Sequence, residues 1–382
     1  MKSRILLIFC LCILQSSALS AGSVSVTQIT DDAERYFPPH TDGHSIVWHD
    51  YTYSRINIYD GNTITYLDDP VWRYYHPQVS GDYIAFFGNI VGDLQTEIFL
   101  YDGSTIEQLT SNNYYDNYFH ISGNKVVWYG EVDASHTDIF YYDGSVTHRL
   151  TENSYAKDPK IDGDNIVWAE YSSNQYKIML YSDGYATPIT ASNTLKEKPM
   201  ISGNNIVWRE RVGSDYEIFY FNGTQITALT DNIYDDNYID IDGNHIVWAG
   251  YDGNDYEIFY FDGVTTIQLT DNNVPDLYPL ISGNIISWQS RIGENSTFEI
   301  MVHDGSETYR VTENDYTEYL TAFNGDIIAF YTSPLQEYNI FMATYSGTPN
   351  NDTPGSSVPE PATLVLCAFS VTALIKKIQL KK

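Results

Sequence analysis

Ile201-Ser202-Gly203-Asn204-Asn205-Ile206-Val207-Trp208, followed by Tyr216-Glu217-Ile218-Phe219-Tyr220-Phe221-Asn222-Gly223 and then Leu229-Thr230, is one turn of a pattern that fills most of this 382-residue chain. Aligned on its first glycine, the pattern recurs at Gly43, Gly81, Gly123, Gly163, Gly203, Gly243, Gly283 and Gly325, at steps of 38 to 42 residues. Five positions after each glycine stands a large aromatic: Trp48, Phe86, Trp128, Trp168, Trp208, Trp248, Trp288 or Phe330. A β-rich segment then ends in a two-residue turn such as Asp60-Gly61, Asp102-Gly103 or Asn222-Gly223. Asp-Gly and Asn-Gly tolerate the positive φ of a type I′ hairpin, so each turn joins two antiparallel strands. Each copy therefore holds four strands: a before the glycine, b carrying the aromatic, c of the Glu-Ile-Phe-Tyr type, and d of the Leu-Thr type. Four short strands at a 40-residue period predict a propeller blade, and no segment sustains a helical period.

The repeat also predicts how the ring ends. After its first 21 residues the chain opens on a lone d-type strand, Val24–Thr30, and it finishes with a, b and c strands over 320–345. The expectation is an all-β, eight-bladed propeller over 22–347, closed by the N-terminal strand in the last blade. The aromatic row reads as packing between blades.

This repeat resembles the TolB-like propeller repeat, with its glycine turn, its b strand ending in an aromatic, its Ile-Tyr type c strand and its closing Leu-Thr. The resemblance covers about residues 24–347 and implies the fold; the repeat serves many unrelated functions. Here Ser-Gly or Asp-Gly replaces the longer family turn, and there are eight copies where TolB itself has six.

Both termini read as addresses. Residues 1–21 combine Lys2 and Arg4, an apolar run from Ile5 to Leu14 and small residues up to Ala21, the plan of a secretory signal peptide. At the other end, a Gly/Pro/Ser/Asn linker over 348–357 precedes Val358-Pro359-Glu360-Pro361, an apolar run over 362–375 and a basic tail ending Lys381-Lys382. Residues 358–382 resemble a PEP-CTERM sorting signal, with lysines where the family tail is usually rich in arginine. The resemblance implies a transmembrane sorting helix that anchors a precursor in the inner membrane. It further implies processing by an exosortase near Pro359-Glu360-Pro361 and delivery to the cell surface or an extracellular matrix.

Charge narrows the partners. Asp and Glu number 50 against 20 Lys and Arg, a net charge of −30. A surface of that sign repels phosphate backbones, so no nucleic acid is expected as a partner. With 43% apolar residues and 34 tyrosines the chain has ample surface to bury. The three cysteines, Cys10, Cys12 and Cys367, lie in the terminal apolar runs, so the body has neither a disulfide framework nor a thiolate site.

Positions that differ between blades are free to specialise. Three residues before the glycine, on strand a beside the central channel, stand His40, Gln78, His120, Lys160, Met200, Asp240, Leu280 and Ala322. Of these His40, Gln78, His120, Lys160 and Asp240 are the candidate channel site. They could line a small-molecule site at the channel mouth or simply meet water. His40 and His120, one blade apart, weakly suggest a shared metal. The d-to-a loops are read as a binding face made of Tyr36, Arg73, Tyr74, Tyr75, Asp116, Asp235, Asp236 and Asp276, with Asn117 and Asp158 beside them, and Glu131, Asp133, Asp215, Tyr251, Asp252 and Asp255 sit on or beside the b-to-c loops of the same face. Tyrosines there stack on sugar rings, and carboxylates hydrogen-bond hydroxyls or hold Ca²⁺. Asp and Asn are equally ordinary turn formers. No cofactor other than such a Ca²⁺ is expected.

No Gly-x-Ser-x-Gly elbow, His-Glu-x-x-His, phosphate loop or dinucleotide fingerprint is present, so no catalytic residue is nominated. The expected function is a non-catalytic binding or scaffold protein of the envelope or matrix, with an exopolysaccharide or envelope protein as ligand. The alternative is a glycosidase or lyase acting on polysaccharide from the same fold.

Overall fold

The computed structural model describes residues 23–30, 36, 38–90, 92, 95–113, 115–190, 192–292, 297–332 and 338–346. Residues 1–21, read from sequence as a signal peptide, 348–357, read as a linker, and 358–382, read as a sorting signal with its Val358–Pro361 motif, lie outside the described residues. Among the described residues there are thirty-two strands and no helix, so none is long and apolar enough to cross a membrane.

The strands group into eight blades of four. Blade 6 is typical: Asp236–Asp242, His245–Tyr251, Tyr256–Phe261 and Thr266–Gln268 pair in that order, all antiparallel. Blades 3 and 4 run together as one sheet through a single parallel pair, Thr137 with Tyr155. The last blade is composite. Its a, b and c strands are Glu318–Asn324, Ile327–Thr332 and Asn339–Ser346, and its fourth strand is Ser23–Gln28.

Each recurrent residue has a physical task. The aromatic five after the glycine is at most 1% exposed in every blade. The c-strand isoleucines Ile56, Ile98, Ile139, Ile178, Ile218, Ile258, Ile300 and Ile340 are all 0% exposed. Burying such side chains is the main favourable term for a sheet stack of this kind. The threonine of each Leu-Thr turns its hydroxyl onto the c strand: Thr110, Thr230 and Thr270 accept the amide hydrogens of Ile98, Ile218 and Ile258 at 2.8–2.9 Å. Thr30 does the same for Ile340 at 3.0 Å, so Ile29-Thr30 serves as the Leu-Thr of the composite blade. Its neighbours Tyr36, Ile46 and Trp48 of blade 1 share a core cluster with Ala322, Ala329 and Ile340 of blade 8.

The glycine is required by its backbone. Gly81, Gly123, Gly163, Gly203, Gly243, Gly283 and Gly325 all have φ between 56° and 61°. Its amide also stitches blades together. Gly81, Gly203 and Gly283 donate to Asp42, Asp162 and Asp242 of the preceding blade at 2.6–2.7 Å. Gly123, Gly163, Gly243 and Gly325 donate to Ser80, Ser122, Ser202 and Ser282 at 2.8–3.0 Å. The seam between blades 8 and 1 is built differently: Gly43 donates to Thr41 Oγ1 in its own blade, and its φ is 85°.

Candidate binding site at the channel mouth

Strand a of every blade is innermost and borders the central channel. A cavity of about 360 Å³ there is lined by His40, His120, Lys160, Met200, Asp240 and Leu280, among others. With Ala322 of blade 8, the residues three before the glycine thus meet in one cavity from seven different blades. Gln78 stands beside them, and its Nε2–H donates to Phe119 O at 2.9 Å.

The same position also ties neighbouring blades. Val79 N–H donates to His40 Nδ1 at 3.2 Å, Ile161 N–H to His120 Nδ1 at 3.4 Å, and Ile281 N–H to Asp240 Oδ2 at 2.9 Å. Burial, with the Lys160 charge adding, lowers His40 to about 4 and His120 well below its ordinary range, so both rings are neutral at pH 7. A neutral imidazole that accepts at Nδ1 carries its hydrogen on Nε2, so each ring keeps one further donor. Burial raises the Asp240 carboxyl to about 6 despite the amides of Ile281 and Ile241 and the pull of Lys160. The channel therefore offers two neutral imidazoles, one ammonium and one carboxyl that titrates near neutrality.

Two residues further back along strand a, the chain does something the repeat does not announce. His76, Tyr118, Asp158, Lys198, Tyr238 and Tyr278 stand five before the glycine in six consecutive blades, all with φ between 38° and 55°. Each sits in a β-bulge, where the a-to-b register slips, as between Asn237 and Asp240. Non-glycine residues in this conformation cost on the order of 1 kcal/mol or more each, and such strain concentrates at functional sites. The bulge turns these side chains out at the mouth. Tyr118, Tyr238 and Tyr278 are 41%, 43% and 42% exposed. Residues of adjacent blades meet: the Tyr238 and Tyr278 rings lie 4.4 Å apart, and Lys198 pairs with Asp158 at 3.4 Å. Lys160 of the cavity sits 5.3 Å from the Tyr118 ring. A crown of tyrosines with one ion pair thus stands over a polar channel.

Most of the loop face read from sequence is not a face. Tyr36, Tyr74, Asp116, Asp236 and Asp276 are buried. Tyr74 lies in strand Trp72–Ser80, packed against Phe86 and Phe99. Tyr36 meets Trp48 edge-on at 6.1 Å. Asp116 and Asp276 accept the indole N–H of Trp128 and Trp288 at 3.0 and 3.1 Å. Asp236 is held by Asn232 Nδ2. Of the d-to-a residues only Arg73 and Asp235 are exposed, with Tyr75 half-buried against His49 and His76. The physical reason is the bulge. In blades 2 to 7 its extra residue reverses the in-out alternation, so the residue seven before the glycine is buried, whereas Tyr36 of blade 1 is buried without such a bulge. Among the described residues, His40 and His120 belong to no group of three or more ligating side chains within reach of one ion. Among the described residues the group that can reach a single ion is Asp252, Glu257 and Asp271, at the outer edge of blade 6.

This architecture defines a β-propeller, and comparison with solved structures agrees. The chain is similar to the β-propeller domain of the Trilobed protease from Pyrococcus furiosus (TM-score 0.53, 13% identity, covering 74% of this chain and 97% of that one). It is also similar to the computationally designed Ika8 protein (TM-score 0.56, 14% identity, 82% and 98% covered). Prolyl endopeptidases give a TM-score of 0.55 at 14% identity, with 71% of this chain and 47% of theirs covered. At these identities the likeness concerns the fold alone. No protein family and no curated protein matches the sequence.

Proposed function

We propose that this chain is an exported binding propeller of the TolB-like type, sorted to the cell surface or matrix through residues 358–382. Its ligand site is the channel mouth, and its ligand is a polysaccharide chain end. One observation carries this: six strained bulge residues, alike in backbone and different in side chain, bring three exposed tyrosines over a channel of hydrogen-bonding groups. Tyrosine rings stack on the apolar faces of sugars, and the His40 and His120 Nε2–H groups and Asp240 suit hydroxyls. A net charge of −30 disfavours a polyanion, so the sugar is neutral or sparsely charged. Strand Ser23–Gln28 closes the ring and holds the crown in shape.

Affinity electrophoresis of the exported protein through gels containing neutral or polyuronate polysaccharide tests this reading. Retardation in the neutral gels supports it. Unretarded migration in both, together with no retention on the host's own matrix, refutes it. Sorting is tested separately by replacing Pro359-Glu360-Pro361 with alanines. The expected result is an uncleaved, membrane-held precursor in a host with the matching exosortase.

A further inference from the structure

We propose that the seam between blades 4 and 5, just outside the crown, is a second saccharide subsite that takes a uronate residue. It rests on the reading above, in which the end of the same polysaccharide chain enters the channel mouth.

The first observation is an inversion of charge. Each seam brings together the residue before the c-strand isoleucine of one blade and the residue seven before the glycine of the next. Four seams hold two acids at these positions, as with Glu217 and Asp236, and the seam between blades 4 and 5 alone holds two lysines, Lys177 and Lys196. A buried ammonium is costly unless partners surround it, and both find them. Lys196 is buried and donates to Thr194 Oγ1 and Glu210 Oε1, each at 2.8 Å. Lys177 donates to Ser172 Oγ at 2.7 Å, and that hydroxyl donates in turn to Glu170. The inversion extends to the surface. Half of the fourteen basic residues between 22 and 357 fall within 155–211, in an otherwise acidic chain. Six of those seven stand where strand a or c begins or strand b ends, which is the crown end of the blades.

The second observation is a cavity at that end. It measures about 230 Å³ and is lined by Tyr155, Lys157, Tyr171, Tyr176, Lys196 and Glu197, among others. Lys157 and Glu197 directly precede the crown residues Asp158 and Lys198, so the cavity adjoins the crown. Its volume falls below the roughly 300–1,000 Å³ of sites for drug-sized ligands, a size that suits one sugar ring. Tyr155 and Tyr171 are exposed, and the Tyr171 and Tyr176 rings lie 4.7 Å apart. Rings so placed offer apolar area to the face of a pyranose.

The available charge is on Lys157. Its Nζ stands 3.7 Å from Glu197 Oε2, beyond hydrogen-bond length, while Glu197 Oε1 accepts from Arg209 Nη2. Glu170, the other acid of the cavity, accepts from the Trp168 indole N–H at 3.1 Å and from Ser172. Both acids are thus engaged by protein donors, and the Lys157 ammonium keeps donors to give. A sugar carboxylate takes a charge-assisted hydrogen bond from it, about twice as strong as a neutral hydroxyl receives. The net charge of −30 disfavours a chain charged at every sugar, whereas a single uronate meets this basic sector.

Saturation-transfer NMR of the full-length protein tests the subsite, with titrations of methyl β-D-glucuronide, methyl β-D-glucoside and sodium acetate. The glucuronide should bind at least fivefold more tightly than the glucoside or acetate. Lys157→Met should erase that preference and Lys157→Arg should keep it. Tyr155→Ala should weaken both glycosides at least threefold, and a thermal melt of each variant separates lost binding from lost folding. No saturable transfer from the glucuronide, equal affinity for the glucoside or acetate, or a preference that survives Lys157→Met overturns the subsite. Neutral gels read the crown alone, so a parent protein retarded there without preferring the glucuronide loses only the subsite.

Discussion

Thr30 Oγ1 accepts the amide hydrogen of Ile340 at 3.0 Å across 310 residues of chain. Ile29 N–H donates to the carbonyl of the same isoleucine at 2.8 Å. The first described strand therefore does for the last blade what each Leu-Thr does for its own. Deleting residues 23–30 leaves strand Asn339–Ser346 with an open edge and uncovers the core beneath it. Calorimetry should show a loss of several kcal/mol, at about 1 kcal/mol for each net hydrogen bond before any apolar area is counted. Thr30→Val alone should cost about 1 kcal/mol. A truncated protein that melts within a degree or two of the parent would contradict this.

Tyr74 and Arg73 are adjacent in sequence and opposite in consequence. Tyr74 is 3% exposed among Phe86 and Phe99, whereas Arg73 faces solvent. Tyr74→Ala should cost about 3–5 kcal/mol in urea unfolding. Arg73→Ala should stay within about 0.5 kcal/mol. Equal effects would mean that the register of strand Trp72–Ser80 is misplaced.

Four seams bury two acids each: Glu97 with Asp116, Glu217 with Asp236, Glu257 with Asp276, and Glu299 with Glu318. Burial, reinforced by the like charge opposite, raises Asp116 to about 6, Asp236 to about 7, Glu257 to about 7 and Glu318 to about 8. The unfolded values lie near 4, so between there and pH 8 the folded chain holds protons that the unfolded chain has released. Stability from these groups is therefore present at low pH and lost as pH rises through the folded values, by up to about 1.4 kcal/mol per pH unit per proton. Melting temperatures measured in EDTA should fall from pH 5 to pH 8.5. Glu318→Gln should flatten that slope. An unchanged slope in the variant would show that the Glu299–Glu318 seam does not hold the proton.

The parts of the fold that every blade needs were legible because eight copies repeat them. The glycine recurs for its positive φ and its donation across the seam, the threonine for Ile N–H, and the tryptophan for the core. The site was half legible. His40, His120, Lys160 and Asp240 are brought to one cavity as their spacing from the glycine suggested. The crown residues Tyr118, Tyr238 and Tyr278 were missed, and Tyr74, Asp116, Asp236 and Asp276 were misplaced, for a single reason. A bulge has no residue signature here: His, Tyr, Asp and Lys all occupy it, so nothing in the alternation marks where it reverses. The one available signal was that the position varies in six blades next to a proline or apolar residue four before the glycine.

Binding at the crown tests the central claim most directly. Tyr238 and Tyr278 sit in the left-handed region, which asparagine tolerates, so Tyr238→Asn with Tyr278→Asn removes both rings without new backbone strain. The measurement is a calorimetric titration of parent and double variant with the neutral polysaccharide that retards the protein, beside a thermal melt of each. The account predicts an unchanged melt and an affinity weaker by about 2 kcal/mol or more, roughly thirtyfold. A double variant that binds as tightly as the parent would contradict it and remove the channel mouth as the binding site.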